Sequence, residues 1–356
     1  MRRIWLAALL AACLGGAAQA AGLQVDEDGT VHVPAFAVPP SNYMSAEAKK
    51  LYAELMRNPA KVVTDQGVQR WRETHNQSFY EPRLAKAAAR FPVDIKADTL
   101  GGVPVEIITA RSGVKQGNEN RVLIELHGGS FMLGAVLGGR LESMPVANLG
   151  GYRIVSVDYR QGPEFKFPAA SQDVAAVYRE LLKTHRPEQI GIFGCSAGGV
   201  LTAQALAWFQ KEGLPKPGAA AMLCAPAESV AGGDARFWGQ PLDVFFSAPP
   251  PPPRPNPAPF DMAYFSNVDP HDPLVAPAWH PDVLAKFPPT LLITGTRGID
   301  MSGAAFTHTQ MAKAGAESFF YAYEGMWHAF LYDVDLPEAQ EAFQVLVKFF
   351  DKRLAR

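Results

Sequence analysis

The chain has 356 residues, 48% of them hydrophobic and 19% charged, with a formal net charge of −2. That balance describes a globular chain with ample core and excludes a disordered polymer; the charges are interspersed, and no basic run suggests nucleic acid. The eight histidines and three cysteines never cluster at ligand spacing, so no metal is expected.

The first twenty residues read as a targeting segment. Arg2-Arg3 supplies a positive start, Ile4 to Ala12 a short apolar run, and Ala18-Gln19-Ala20 a small-residue cleavage site. The expectation is a signal peptide over 1–20, a mature chain beginning at Ala21, and export to the periplasm or the medium. The apolar stretch is too short for a transmembrane anchor. Leu10-Ala11-Ala12-Cys13 also resembles a lipobox, so a lipoprotein anchored through Cys13 is the alternative. Residues 21–90 follow, with helices expected over Ala46–Arg57 and about Pro82–Arg90.

From about Phe91 the pattern changes. Two runs, Phe91–Ile95 and Val103–Thr109, straddle Gly101-Gly102 and predict an antiparallel start. Strands are then expected at 121–126, 153–158, 190–194, 219–224, 290–294 and 318–323, with helices at 170–184, 198–212, 302–314 and 337–352. Strands alternating with helices imply a mostly parallel sheet covered on both faces. The last helix places Ala339, Ala342, Phe343, Leu346, Phe349 and Phe350 on one face, which is a core stripe. Pro337 suits its first turn.

Chemistry concentrates at the strand ends. Gly194-Cys195-Ser196-Ala197-Gly198 lies between the run Gln189–Phe193 and a helical segment. Strand, tight turn and helix form the context of a G-x-S-x-G nucleophile elbow, which lifts the serine hydroxyl over the sheet and aims the first helical N–H groups at the same point. His127-Gly128-Gly129-Ser130-Phe131 closes strand 121–126 with a turn of bare backbone N–H groups. Tyr323-Glu324-Gly325-Met326-Trp327-His328-Ala329-Phe330 follows the last strand and places a histidine late in the chain. Cys195 and Cys224 are expected as small buried residues, although adjacent strand ends leave a disulfide open. Residues 228–265 interrupt the alternation. They contain Ala248 to Pro257, a proline-rich stretch that is either a rigid brace or a ligand for a partner domain. Phe237, Trp238, Phe245 and Phe246 nearby either line a pocket or pack a cap.

Together these motifs resemble the hormone-sensitive lipase family, the bacterial family IV esterases of the α/β hydrolase fold. The likeness includes Val157-Asp158-Tyr159-Arg160 through Phe167-Pro168-Ala169-Ala170 and runs from about Phe91 to the C-terminus. It implies an α/β-hydrolase catalytic domain over 91–356, an insertion at about 228–265, and a cap formed in part by 21–90. It implies Ser196 as nucleophile, His328 as general base, and an oxyanion hole from the N–H groups of Gly128, Gly129, Ser130 and Ala197. Trp327 is expected to wall the pocket. Three departures stand out. Ser130 replaces a third glycine, and Cys195 replaces the usual Asp beside the nucleophile. Gly298 stands where the resemblance expects the triad acid, right after Gly295-Thr296-Arg297. Asp300, two residues on in the same loop, is the expected acid. Asp272 is the alternative, although Asp before Pro commonly shapes a turn.

The implied activity is hydrolysis of short to medium acyl esters or lactones through an acyl-enzyme, on a small-molecule substrate and without a cofactor. Two alternatives remain: a serine peptidase or amidase, and a non-catalytic binding protein, for which the missing acid at 298 is the motive. The oligomeric state is not legible.

Overall fold

The computed structural model describes residues 24–59, 67–228, 232–247 and 263–355. The targeting segment and the proline-rich run lie outside the described residues. The chain divides at Pro40/Ser41 into two units, so the 21–90 segment expected as one piece is split. In the first unit Gln24–Val25 pairs antiparallel with Val31–His32.

The second unit is built on eight strands: β1 (Val93–Leu100), β2 (Val103–Ala110), β3 (Val122–Leu126), β4 (Arg153–Val157), β5 (Ile190–Cys195), β6 (Ala219–Leu223), β7 (Thr290–Gly295) and β8 (Ser318–Tyr323). Their order across the sheet is β8-β7-β6-β5-β3-β4-β2-β1. β1 and β2 form a hairpin that pairs Leu100 with Val103, and β2 pairs antiparallel with β4. All other neighbours are parallel. β3 and β5 lie side by side with Leu126 opposite Gly194, so the two chemistry-bearing turns leave the same edge of the sheet together.

The α-helices of eight residues or more among the described residues are α1 (Ala46–Arg57), α2 (Val68–His75), α3 (Glu81–Arg90), α4 (Leu137–Gly150), α5 (Ala169–Leu181), α6 (Ala197–Lys211), α7 (Met301–Lys313) and α8 (Pro337–Arg353). Alternation along each strand divides the core in two. Leu123, Phe193 and Leu291 join Leu141 and Met144 of α4 and Phe343, Leu346 and Phe350 of α8. Ile124, Ile192 and Leu292 join Val174 and Val177 of α5, Val200 and Leu201 of α6, and Met311 of α7. Burying each large apolar side chain contributes about 1.5–3 kcal/mol, so the α8 stripe alone anchors that helix.

Two helices were not legible in the sequence. α4 contains Gly138, Gly139, Pro145 and Gly150, each of which lowers helix propensity. It forms because most of it is buried, and burial outweighs propensity. α2 has no buried residue. It is held by a fork from Arg72, whose Nε donates to the Met132 carbonyl (2.7 Å) and whose Nη atoms donate to Glu164 (2.7 and 2.8 Å) and the Gly162 carbonyl (2.8 Å). No helix among the described residues is long and apolar enough to cross a membrane.

Candidate active site

Ser196 stands at the elbow between β5 and α6 with φ 55° and ψ −121°, a strained conformation for a side-chain-bearing residue. His328 Nε2 lies 2.8 Å from its Oγ. On the other side, His328 Nδ1 lies 2.7 Å from Asp300 Oδ1. With Nδ1 protonated toward the carboxylate, Nε2 accepts the serine proton; this tautomer follows from the hydrogen-bond network. Asp300 is fully buried at the start of α7, and Thr294 Oγ1 donates to its Oδ2.

Gly298 accommodates the acid at 300. A Cβ at 298 would stand 2.7 Å from Asp300 Oδ1 and 3.3 Å from the His328 backbone nitrogen. The bare residue leaves room for the Asp300 carboxylate. Asp272 serves a turn: its Oδ1 accepts from the Leu274 N–H at 2.8 Å.

A carboxylate that the sequence reading missed bears on the histidine. Asp243, fully buried, accepts from the N–H groups of Phe245 (2.8 Å) and Phe246 (3.2 Å) through Oδ1, and of His328 (3.0 Å) and Ile299 (3.3 Å) through Oδ2. It thereby fastens the 240–247 loop to both the histidine and acid loops. Burial alone would push the His328 imidazole down. The hydrogen bond and charge of Asp300, with the charge of Asp243, outweigh it and hold His328 above the ordinary histidine value of 6.5.

The oxyanion side corrects one expectation. The Gly128 N–H is not free to meet an oxyanion, because it donates to Glu142 Oε1 at 2.8 Å. The N–H groups of Gly129, Ser130 and Ala197 have no acceptor among the described residues, and Gly129 and Ser130 line the cavity over Ser196. Gly129, Ser130 and Phe131 all have positive φ (122°, 55° and 55°), a sharp turn that exposes backbone N–H groups. His127 stacks on Tyr159 (centroids 4.3 Å apart), and Tyr159 Oη donates to the His127 carbonyl at 2.7 Å, so the Val157–Arg160 block braces this turn from below.

Glu142 was also missed. It is a lone acid in the apolar, small-residue run of α4, 2% exposed. Besides Gly128 it accepts from the Cys195 N–H through Oε2 (2.9 Å) and from Tyr332 Oη through Oε1 (2.6 Å). Hydrogen bonds to a charged group are worth about 1.5–3 kcal/mol each, and without them a buried carboxylate is strongly destabilising. The resemblance expects a carboxylate at position 195; here Glu142 brings one to the same backbone from a neighbouring helix. Cys195 and Cys224 are free and buried.

Ser196 and His328 open into a cavity of about 280 Å³. Its walls come from α1 and the residue after it (Leu55, Asn58), α2 (Trp71, Thr74, His75), Ser78, Phe79, Tyr80 and Arg83, Leu133 and the Val244-Phe245-Phe246 run. Phe246 meets the His328 ring edge-on at 5.1 Å. Phe245 and Phe246 thus line the pocket, whereas Phe237 and Trp238 lie exposed away from it. Trp327 does not wall the pocket: it is fully buried and packs 5.8 Å from Tyr52. His75 is driven down to about 4 by its partial burial and by Arg83, so it faces the cavity neutral.

Comparison with known proteins places this geometry. The family described as the alpha/beta hydrolase fold matches residues 123–332. An acetyl-hydrolase of Streptomyces hygroscopicus is 30% identical over 233 residues, 65% of this chain and 75% of that protein. The crystal structure of esterase E25 superposes with a TM-score of 0.78 at 26% identity, over 91% of this chain and 99% of that one. An esterase from the bacterial hormone-sensitive lipase family shares the fold with a TM-score of 0.72 at 24% identity, over 87% of this chain and 99% of that one. The chain belongs to the alpha/beta hydrolase family and is a serine carboxylic-ester hydrolase.

Proposed function

We propose that Ser196, His328 and Asp300 carry out this hydrolysis as a catalytic triad, on short to medium acyl esters or lactones. The carrying observation is the unbroken line Asp300–His328–Ser196, with contacts of 2.7 and 2.8 Å, opening on the cavity. Ser196 Oγ attacks the ester carbonyl carbon while His328 Nε2 takes its proton. The carbonyl oxygen gains the negative charge and is met by the N–H groups of Gly129, Ser130 and Ala197. Collapse expels the alcohol, which receives the proton from His328 and leaves an acyl-serine. Water, deprotonated by His328, then attacks the acyl carbon; collapse breaks the bond to Ser196 Oγ, which receives the proton back from His328, and the acid is released. Asp300 holds the imidazole in the required tautomer and stabilises the imidazolium.

Two features support the size range. The cavity of about 280 Å³ lies at the small end of ligand pockets, about 300–1,000 Å³, and the Streptomyces relative is named an acetyl-hydrolase. α1 to α3 and the 240–247 loop act as the cap, since they supply most of the cavity wall. The motive for a binding-protein reading was the missing acid at 298, and Asp300 in contact with His328 removes it. Export through a signal peptide over residues 1–20 is supported by Arg2-Arg3, the apolar run and the Ala18-Gln19-Ala20 site, and the mass of the exported protein tests it against lipidation at Cys13.

The test of the triad is hydrolysis of p-nitrophenyl acetate, butyrate, octanoate and palmitate by the wild type and Ser196→Ala. Activity highest on the shorter esters and lost in the variant is expected. Retained activity in Ser196→Ala would overturn the nucleophile assignment, and a preference for palmitate would overturn the size range.

A further inference from the structure

We propose that Glu142 is a positioning residue for the oxyanion hole: its buried carboxylate ties the Gly128 turn, the end of the nucleophile strand and the loop after His328 into one unit. The proposal rests on Ser196 as nucleophile and assigns a role to a residue that never meets substrate.

The geometry carries it. One carboxylate receives the Gly128 N–H (2.8 Å), the Cys195 N–H (2.9 Å) and Tyr332 Oη (2.6 Å). Each donor belongs to a different part of the machinery. The Gly128 amide is taken up by the carboxylate, while the next two residues, Gly129 and Ser130, line the cavity with N–H groups that have no acceptor among the described residues. The Cys195 amide immediately precedes Ser196. Tyr332 follows His328 by four residues, which couples the histidine loop to the same anchor. Space is as tight as the hydrogen bonding: a Cβ at Gly128 would stand 2.5 Å from Tyr332 Oη and 2.9 Å from the Cys195 carbonyl. The oxyanion turn therefore fits only while Tyr332 and the strand end keep their places.

A carboxylate is needed for this task because two backbone N–H donors at the ends of two neighbouring strands must be accepted at once by two oxygens. An amide side chain has one acceptor oxygen and would turn its NH2 toward an N–H. The surroundings are arranged to hold one charge. Burial raises Glu142 to about 7, while hydrogen bonds from Tyr332, Gly128, Cys195 and the neighbouring Glu125 pull it back toward ionisation. Burial and the charge of Glu142 hold its neighbour Glu125 well above the carboxylate range, so Glu125 is neutral, with Ser156 Oγ donating to it at 2.6 Å. Tyr80, Tyr159, Tyr332 and Cys195 are all raised by burial and stay neutral.

The experiment compares wild type, Glu142→Gln, Tyr332→Phe and Ser196→Ala with p-nitrophenyl butyrate. Active sites are titrated to completion with a p-nitrophenyl phosphonate, so turnover is expressed per competent site, and the affinity of a trifluoromethyl ketone reports the tetrahedral adduct. In Glu142→Gln, kcat per titrated site should fall about 10–100-fold, somewhat less than the loss of an oxyanion donor itself. KM should change less than about twofold, and ketone affinity should fall in parallel with kcat. A per-site kcat within twofold of wild type overturns the proposal, including the case where only the titratable fraction drops, because that describes a merely structural residue. If Glu142→Gln does not unfold cooperatively, Tyr332→Phe decides: a fall of at least threefold in per-site kcat supports the tie, and the wild-type value overturns it. Ser196→Ala separates the two readings. Activity that survives there defeats the nucleophile assignment, whereas an inactive Ser196→Ala beside a fully active Glu142→Gln defeats the positioning role alone.

Discussion

Two buried carboxylates flank the Ser196–His328 pair, and they differ in origin and in what they hold. Glu142 comes from α4, inside the sheet-and-helix core, and grips the backbone before the nucleophile and before the oxyanion donors. Asp243 comes from the segment between β6 and β7 and grips the backbone of His328 and of the acid loop. Both satisfy N–H groups that would otherwise be orphaned at strand and loop ends, where a buried unpaired donor costs about 1–3 kcal/mol. Of the two, only Asp243 adds its charge to that of Asp300 against the imidazole. One side of the site is thus held for shape and the other for shape and proton affinity. The comparison teaches that the machinery is positioned by side chains reaching across elements, not by the motifs alone.

Substitutions can break or sharpen that contrast. The largest effect after loss of Ser196 is expected at the orienting acid. Asp300→Asn should lower kcat by about 10³–10⁴-fold, since Asn at this position favours the wrong tautomer. Steady-state kinetics and a thermal melt check it; a melt lowered by many degrees with kcat per folded molecule preserved would make Asp300 a structural residue. Gly298→Ala comes next. The added methyl would lie 2.7 Å from Asp300 Oδ1, and the resulting shift of the carboxylate should cost about tenfold in kcat, in keeping with the sensitivity of catalysis to misplacements of about 1 Å.

Asp243→Asn isolates the electrostatic half of the comparison. His328 must be neutral to accept the serine proton, so activity rises as pH passes through its pKa. Because that pKa lies above 6.5, half-maximal kcat/KM in the wild type should lie above pH 6.5. Removing the Asp243 charge lowers the His328 pKa, so the rising limb should move to lower pH, with kcat on the plateau reduced only about 2–5-fold, as suits a group that acts through another. A limb that stays put in a folded variant would show that Asp243 acts through hydrogen bonds alone. The smallest effect is expected at Asp272→Ala. That carboxylate shapes a turn through the Leu274 N–H, so kcat should stay within about twofold of wild type and stability within about 1 kcal/mol.

The eight strands of the sheet, the helices other than α2 and α4, the elbow at Ser196, the glycine turn after β3 and the late His328 were legible in the sequence. Each is a local signal: alternation of apolar residues, glycine where a turn crowds the backbone, and a fixed chain order along the sheet. α4 was not legible, because Gly138, Gly139 and Pro145 argue locally against the helix that burial enforces. Asp300 was the expected acid from its place in the loop, but its choice over Asp272, the use of the Gly128 N–H, and the convergence of Glu142 and Asp243 on the site were decided only by the tertiary structure. The physical reason is that a buried carboxylate has no sequence pattern of its own. Its partners are backbone N–H groups, present at every non-proline residue, and only the folded chain determines which of them come within 3 Å of its oxygens.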